Sequence, residues 1–188
     1  MNSSPSDSAS ASFAIRPARR EDLPALQAIY ALHVRHGLAS FELEPPDLAE
    51  FTQRFETLRK AGMPYFVAEE NGGALLGYAY AGPYRPRPGY RFSLEDSVYV
   101  APEALGRGAG KRLLERLIAE ATALGYRKMV AIIGDSANAA SIGLHASHGF
   151  ILAGTLRSVG FKHGRWVDSV LMERFLGEGD TSLPRERG

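Results

Sequence analysis

The sequence predicts an α/β domain built on one mixed sheet with helices on both sides. Three observations carry that class. Two β-rich runs, "YFVAEE" and "ALLGYAYAG", flank Asn71-Gly72, a strong hairpin signal. A loop with glycines at 106, 108 and 110 joins a β-branched run directly to an apolar stripe at helical spacing. "KMVAIIG" (128–134) is nearly continuous in apolar residues, as a strand covered on both faces would be.

The elements follow in order. "FAIRPA" (13–18) reads as a short strand. "EDLPALQAIYALHVRHG" reads as a helix with an acidic start, an apolar face of Leu23, Leu26, Ile29, Tyr30 and Val34, and a stop at Gly37. A second helix is expected from about Pro46 to Gly62. After the hairpin, "RFSLEDSVYV" gives a third adjacent strand that the Ala101-Pro102 step ends. Leu113, Leu114, Leu117, Ile118, Ala121 and Leu124 form one helical face, stopped by Gly125. "NAASIGLHASHG" predicts a short helix with Asn138 at its N-cap, and a final hairpin turns near His163-Gly164.

One domain, 13–176, accounts for this pattern. The Ser/Ala-rich opening, 1–12, and the closing residues 177–188 are too polar to bury their own surface and are expected to be a disordered extension and a flexible tail. The 188 residues are 45% hydrophobic and 23% charged, with a formal net charge of +1, so no global field points to nucleic acid or an anionic membrane. An anionic ligand must be held locally. With no cysteine there is no thiolate nucleophile or Cys-type zinc site, and the five histidines show no His-x-x-x-His spacing, so no metal is expected. Nothing reads as a signal or membrane-spanning segment, which makes the cytoplasm the default location.

Glycines that open a helix let backbone N–H groups and the helix dipole meet phosphate oxygens. Neither familiar phosphate fingerprint fits. A Walker loop needs glycine at 105, which is Leu, and Ser or Thr after Lys111, which is Arg112; a dinucleotide loop lacks its third glycine at 111. A plain strand-to-helix turn remains an open reading of the loop taken alone.

The segment around it is more specific. "VYVAPEALGRGAGKRLLERL" (98–117) resembles the pyrophosphate-binding segment of the GNAT acetyltransferase family, with Gly108 and Gly110 on the two small positions and Leu105 where the family carries Gln or Arg. The likeness runs from about Phe13 to Phe175. Within the family, "YAGPYRPRPGYRFSLEDSVYV", "SIGLHASHGF" and "VGFKHGRWVD" resemble the phosphinothricin and methionine sulfoximine branch, which acetylates the α-amine of small glutamate-like acids. The resemblance implies a mostly antiparallel sheet splayed between its fourth and fifth strands, acetyl-CoA as donor, a compact amino acid as acceptor, and a homodimer.

Site residues follow from the same resemblance. Glu95 matches the family's catalytic carboxylate; Asp96, one residue on, points to the opposite sheet face, so only one of the pair can serve. The Val98 N–H is the candidate oxyanion donor. His145, seven residues after Asn138, stands where the family often has the acid, and histidine can donate a proton near neutral pH. The cofactor is expected along Val98, Tyr99 and Val100, the loop Leu105, Arg107, Gly108, Ala109 and Gly110, the basic pair Lys111 and Arg112, and Asn138 with Ser141. Arg85 and Arg87 would fork the acceptor carboxylate, and Phe41 and Trp166 would wall its pocket.

Each residue also has a plain reading. Glu95 can be a paired surface carboxylate, His145 a satisfied half-buried histidine, Phe41 and Trp166 core, and the arginines solvated loop charges. As whole functions, an acetyltransferase for protein N-termini or polyamines and a non-catalytic acetyl-CoA-binding module are the alternatives. An arginine-bearing loop argues against a polyamine site, and Glu95 kept together with His145 favours catalysis, because binding alone needs neither.

Overall fold

A computed structural model describes residues 13–185; the expected extension at 1–12 lies outside the described residues. The strands are β1 (Phe13–Pro17), β2 (Tyr65–Glu70), β3 (Leu75–Pro83), β4 (Ser93–Val100), β5 (Lys128–Gly134), β6 (Ile151–Lys162) and β7 (Arg165–Phe175). The helices are α1 (Leu23–His36), α2 (Leu48–Lys60), α3 (Ala109–Ala123) and α4 (Ala139–Ser147). They form one seven-stranded sheet of order β1-β2-β3-β4-β5-β7-β6, antiparallel except for β4 and β5. This is the mixed, mostly antiparallel sheet with helices on both faces that the sequence predicts.

Local chemistry explains the ends. Asp47 caps α2 by accepting the Glu50 N–H at 2.8 Å, so the helix starts at Leu48 rather than at the prolines before it. The β2–β3 turn needs a left-handed residue, supplied by Gly73 at φ 84° rather than by the Asn71-Gly72 pair itself. His163 and Gly164 both have positive φ (51° and 72°), as the tight β6–β7 turn requires.

Strand alternation assigns the two faces. Tyr78, Tyr80 and Tyr99 lie under α1 and α2, with Tyr30 edge-on to Tyr99 at 5.0 Å and Phe51 edge-on to Tyr78 at 6.3 Å. Leu94 and the buried leucines of α3 fill the other face together with Met129, Ala131 and Phe150. About 25 cal/mol per Å² of apolar surface removed from water holds both layers on the sheet. Of the tail expected at 177–188, residues 186–188 lie outside the described residues, and 177–183 turn back onto Arg127, whose guanidinium donates to the Ser182 hydroxyl at 2.8 Å.

One irregularity positions everything that follows. β4 and β5 pair only from Ser93↔Lys128 to Asp96↔Ala131, while β5 continues against β7 to Gly134↔Ser169 and β4 continues against β3 to Val100↔Gly77. The sheet therefore forks at Asp96, and Ser97–Val100 have no strand partner on the side towards Ile132–Gly134; His33 Nε2 on α1 lies 2.9 Å from the Val100 carbonyl.

Candidate active site

A cleft of about 750 Å³ fills the fork. Its walls are Val98–Val100 on β4, the loop residues Ala104–Gly106 and Gly108–Gly110 with Lys111, the end of β5 with Asp135, the start of α4, and the turn after α1 from His36 to Ala39. Free backbone groups make it suited to an elongated polar ligand. Gly108 is the N-cap of α3 at φ 83° with no side-chain cap, so the first N–H groups of the helix point outward unsatisfied, the arrangement that takes up phosphate.

Gly110 matters for close packing. A Cβ there would lie 3.3 Å from Val100 Cγ2 and 3.5 Å from Leu144 Cδ2, so a larger residue would wedge α3 away from β4 and α4. Of the expected cofactor residues, Val98, Tyr99, Val100, Leu105, Gly108, Ala109, Gly110, Lys111, Asn138 and Ser141 line the cleft. Arg107 and Arg112 do not. Arg107 pairs with Glu70, and Arg112 turns away to donate to the Phe13 carbonyl at 2.8 Å while lying over the Phe13 ring. Both alternatives lie far along the chain, beyond the reach of a local motif. Asn138 Oδ1 accepts the Ser141 N–H at 3.1 Å, which makes it the N-cap of α4 as well as a cleft residue.

The two acidic neighbours at the fork separate as strand alternation demands. Glu95 is half-buried on the α1/α2 face. Burial raises its pKa, the Asp96 charge adds to that, and Arg85 partly offsets both. Asp96 is buried on the opposite face, where its Oδ2 accepts from His145 Nε2 at 3.0 Å. His145 Nδ1 meets the Ser141 carbonyl at 2.7 Å and Ser141 Oγ at 3.4 Å, so both ring nitrogens are engaged and neither is left to face the cleft.

The acceptor side is only partly as expected. Arg85 and Arg87 are exposed on the β3–β4 loop, with the Arg85 guanidinium 5.1 Å from the centre of the Tyr84 ring and near enough to Glu95 to influence its charge. Phe41 packs on Gly160, where any Cβ would lie 2.1 Å from the ring. Trp166 stands elsewhere: it pairs with Phe161, on the face of the β6–β7 hairpin opposite Gly160 and Lys162, and is 64% exposed. Sequence reasoning did not find Lys162, which is fully buried and donates to the Ser40 carbonyl at 2.6 Å, fastening the turn after α1 to the hairpin. A lysine in a strand carries no local signal for such a contact. Among the described residues, no cluster of three or more His, Asp or Glu side chains is placed to hold a metal.

Comparison with known proteins agrees with this geometry. The acetyltransferase (GNAT) family matches residues 26–150. The chain is 58% identical over 170 residues to a phosphinothricin N-acetyltransferase of Alcaligenes faecalis, covering 90% of this chain and 86% of that one. It is 44% identical over 162 residues to an L-methionine sulfoximine/L-methionine sulfone acetyltransferase of Pseudomonas aeruginosa, covering 86% and 94%. A GNAT superfamily phosphinothricin acetyltransferase from Sinorhizobium meliloti, solved in complex with AcCoA, superposes with a TM-score of 0.90 at 46% identity over 93% of this chain and 94% of that one.

Proposed function

Because this chain belongs to the GNAT family of acetyltransferases, we propose that it moves the acetyl group of acetyl-CoA directly to the α-amine of a small amino acid or glutamate analogue of the phosphinothricin or methionine sulfoximine type. The observation that carries this reading is the fork itself: a β4 edge without a strand partner, a left-handed glycine at an uncapped helix start, and a half-buried carboxylate at the branch point.

The roles follow from chemistry. The N–H groups at the start of α3 and Lys111 would hold the pyrophosphate, and the open edge Val98–Val100 would pair with the amide-bearing arm of the donor. The Val98 N–H is the proposed donor to the developing oxyanion. Glu95 takes the proton from the acceptor ammonium, directly or through water; its raised pKa makes it a stronger base than an ordinary glutamate. We assign His145 a supporting place rather than direct proton donation, since both its nitrogens are engaged, and leave the thiolate to be protonated by water. Arg85 and Arg87 bind the acceptor's acid group, and Phe41 walls its pocket. The transfer is direct, without a covalent enzyme intermediate: the chain has no cysteine and no serine in a nucleophile elbow.

Two coarser properties follow. The enzyme acts in the cytoplasm, where acetyl-CoA is available; among the described residues no helix is long and apolar enough to cross a membrane. It works as a homodimer, supported by the edge strand β6, which exposes Ile151, Leu152, Leu156, Val159 and Phe161 beside Trp166. Thiol release from acetyl-CoA, measured with phosphinothricin, methionine sulfoximine, free amino acids, a peptide N-terminus and a polyamine, tests the function. Turnover confined to the peptide or polyamine would reject it, and light scattering that finds a monomer would reject the dimer.

A further inference from the structure

We propose that Lys162 is a positioning residue for the acceptor: by holding the Ser40 carbonyl it pins a strap, residues 37–42, across the fork and so fixes Phe41 at the acceptor site. The inference rests on the acetyltransferase reading above and deepens it on the acceptor side.

One arm of the fork is β1–β4 with α1 and α2, and the other is β5–β7. The strap leaves the first arm, touches the second at three points and returns. It starts at the end of α1, whose His33 Nε2 lies 2.9 Å from the Val100 carbonyl on β4. Leu38 and Ala39 then rest on Gly134 at the end of β5, where a Cβ would lie 2.1 Å from the Leu38 carbonyl oxygen and 3.1 Å from Ala39 Cα. The Ser40 carbonyl accepts from Lys162 Nζ at 2.6 Å, and the Phe41 ring lies on Gly160, both on β6. At Glu42 the chain is back on the first arm, where Arg54 of α2 donates to Glu42 Oε1 at 2.6 Å. A side chain at Gly134 or Gly160 would displace the strap or the Phe41 ring, so the second arm receives the strap in two glycine seats with one amine beside them.

The register sets those seats on the side where the chemistry is. Glu95 pairs with Val130, and two residues further along β5 Ile132 pairs with Leu171. Alternation along β7 keeps Leu171, Ser169 and Val167 on one face, and Val167 pairs with Gly160. Gly160 and Lys162 therefore share the sheet face of Glu95, while Trp166 points to the opposite one. Phe41, seated on Gly160, keeps 38% of its surface exposed, an aromatic face suited to the methylene chain of a glutamate-like acceptor.

Lys162 acts through the strap. With only 2% of its surface exposed it offers an acceptor almost no contact of its own. The Ser40 hydroxyl is tied elsewhere, meeting the Tyr30 hydroxyl at 3.1 Å and accepting the Glu42 N–H at 3.2 Å. Those ties run to α1 or stay within the strap, whereas the Lys162 bond crosses to the second arm. Without it, Phe41 loses its fixed height above the sheet, and Leu38 and Ala39 stay seated on Gly134.

Steady-state thiol release with phosphinothricin and with methionine sulfoximine, beside calorimetry with acetyl-CoA, reads the strap. Lys162→Met keeps the chain length and removes the donor; it should raise acceptor KM about tenfold while kcat and acetyl-CoA affinity stay within about threefold. Gly160→Ala leaves Lys162 in place, pushes the Phe41 ring from below and should do the same. No positive φ is needed at Gly160, so this variant decides the matter where Lys162→Met fails to fold. In a Phe41→Leu background either change should add less than about twofold, because both act through that ring. A wild-type KM in the folded variants, an equal loss of acetyl-CoA affinity, or a full penalty in the Phe41→Leu background would overturn the proposal and leave the acetyltransferase reading intact. A wild type that acetylates neither acceptor nor any free amino acid would overturn both.

Discussion

Replacing Glu95 by Gln keeps side-chain shape and removes the proton acceptor. Burial and the adjacent Asp96 hold the Glu95 carboxyl above its ordinary value of 4.5, with Arg85 as a partial counterweight, so the wild-type rate should fall with acid through a pKa higher than that of a free glutamate. General-base assistance is worth about 10²–10⁴ in rate. At about 1.36 kcal/mol per decade this is about 3–5 kcal/mol of transition-state stabilisation. Glu95→Gln should therefore lower kcat by that factor at neutral pH, with acetyl-CoA affinity unchanged. Its rate should climb with pH as the acceptor amine deprotonates in solution, more steeply than the wild type. A carboxylate whose pKa is raised by folding weakens the fold at pH values above its unfolded pKa, so the variant should melt no lower than the parent. The assay is steady-state thiol release from pH 6 to 9.5, which brackets the ionisation of an α-amine, about 7.7–8.0 in a peptide. Wild-type turnover with an unchanged profile would refute Glu95 as the base and return the role to Asp96, Tyr99 or bulk water.

Removal of Arg85 and Arg87 should raise KM for an α-amino acid far more than for an amine lacking the carboxylate; equal effects would detach this loop from acceptor binding. Arg85→Ala alone should also move the acid limb of the rate profile upward, because Arg85 lowers the Glu95 pKa. Gly110→Val, at a helical position without backbone strain, should weaken acetyl-CoA binding by forcing α3 off Val100 and Leu144, and calorimetry that finds unchanged affinity would reject the close approach. Gly134→Ala should cost about 1–3 kcal/mol of stability, because its Cβ would fall 2.1 Å from the Leu38 carbonyl oxygen; a melting temperature equal to the parent would contradict that contact.

What was legible in the sequence was local or periodic. The apolar stripe of α3, the unbroken β5 run and the turn at His163-Gly164 each announce themselves within a few residues, and the structure follows them closely. The glycine loop with its family likeness reached further and identified the cleft. Less visible were contacts that only the assembled sheet creates. Arg112 looked like a phosphate ligand from its place in the first turn of α3, yet Phe13, 99 residues away, holds it. Trp166 falls in a segment that suggests the acceptor pocket, but alternation along β7 turns its ring to the other face. His145 met its carboxylate 49 residues away, and Lys162 its carbonyl 122 residues away, separations at which spacing carries no information.

The short β4–β5 ladder also has a consequence for how the molecule comes apart. Residues 13–123 carry four strands and three helices, and residues 128–175 carry three strands and one helix; at the fork four residue pairs and one histidine–aspartate bond join the two arms of the sheet, beside the shared core under α3 and the Lys162–Ser40 bond. Such a seam is where sub-global opening is cheapest, so hydrogen exchange of the β4 and β5 amides should proceed by parting of the two arms well below the free energy of complete unfolding. A ligand that lies along both arms acts as the missing rungs of the ladder. Saturation at about a hundred times its dissociation constant would add about 2.7 kcal/mol and hold the two arms together at the seam.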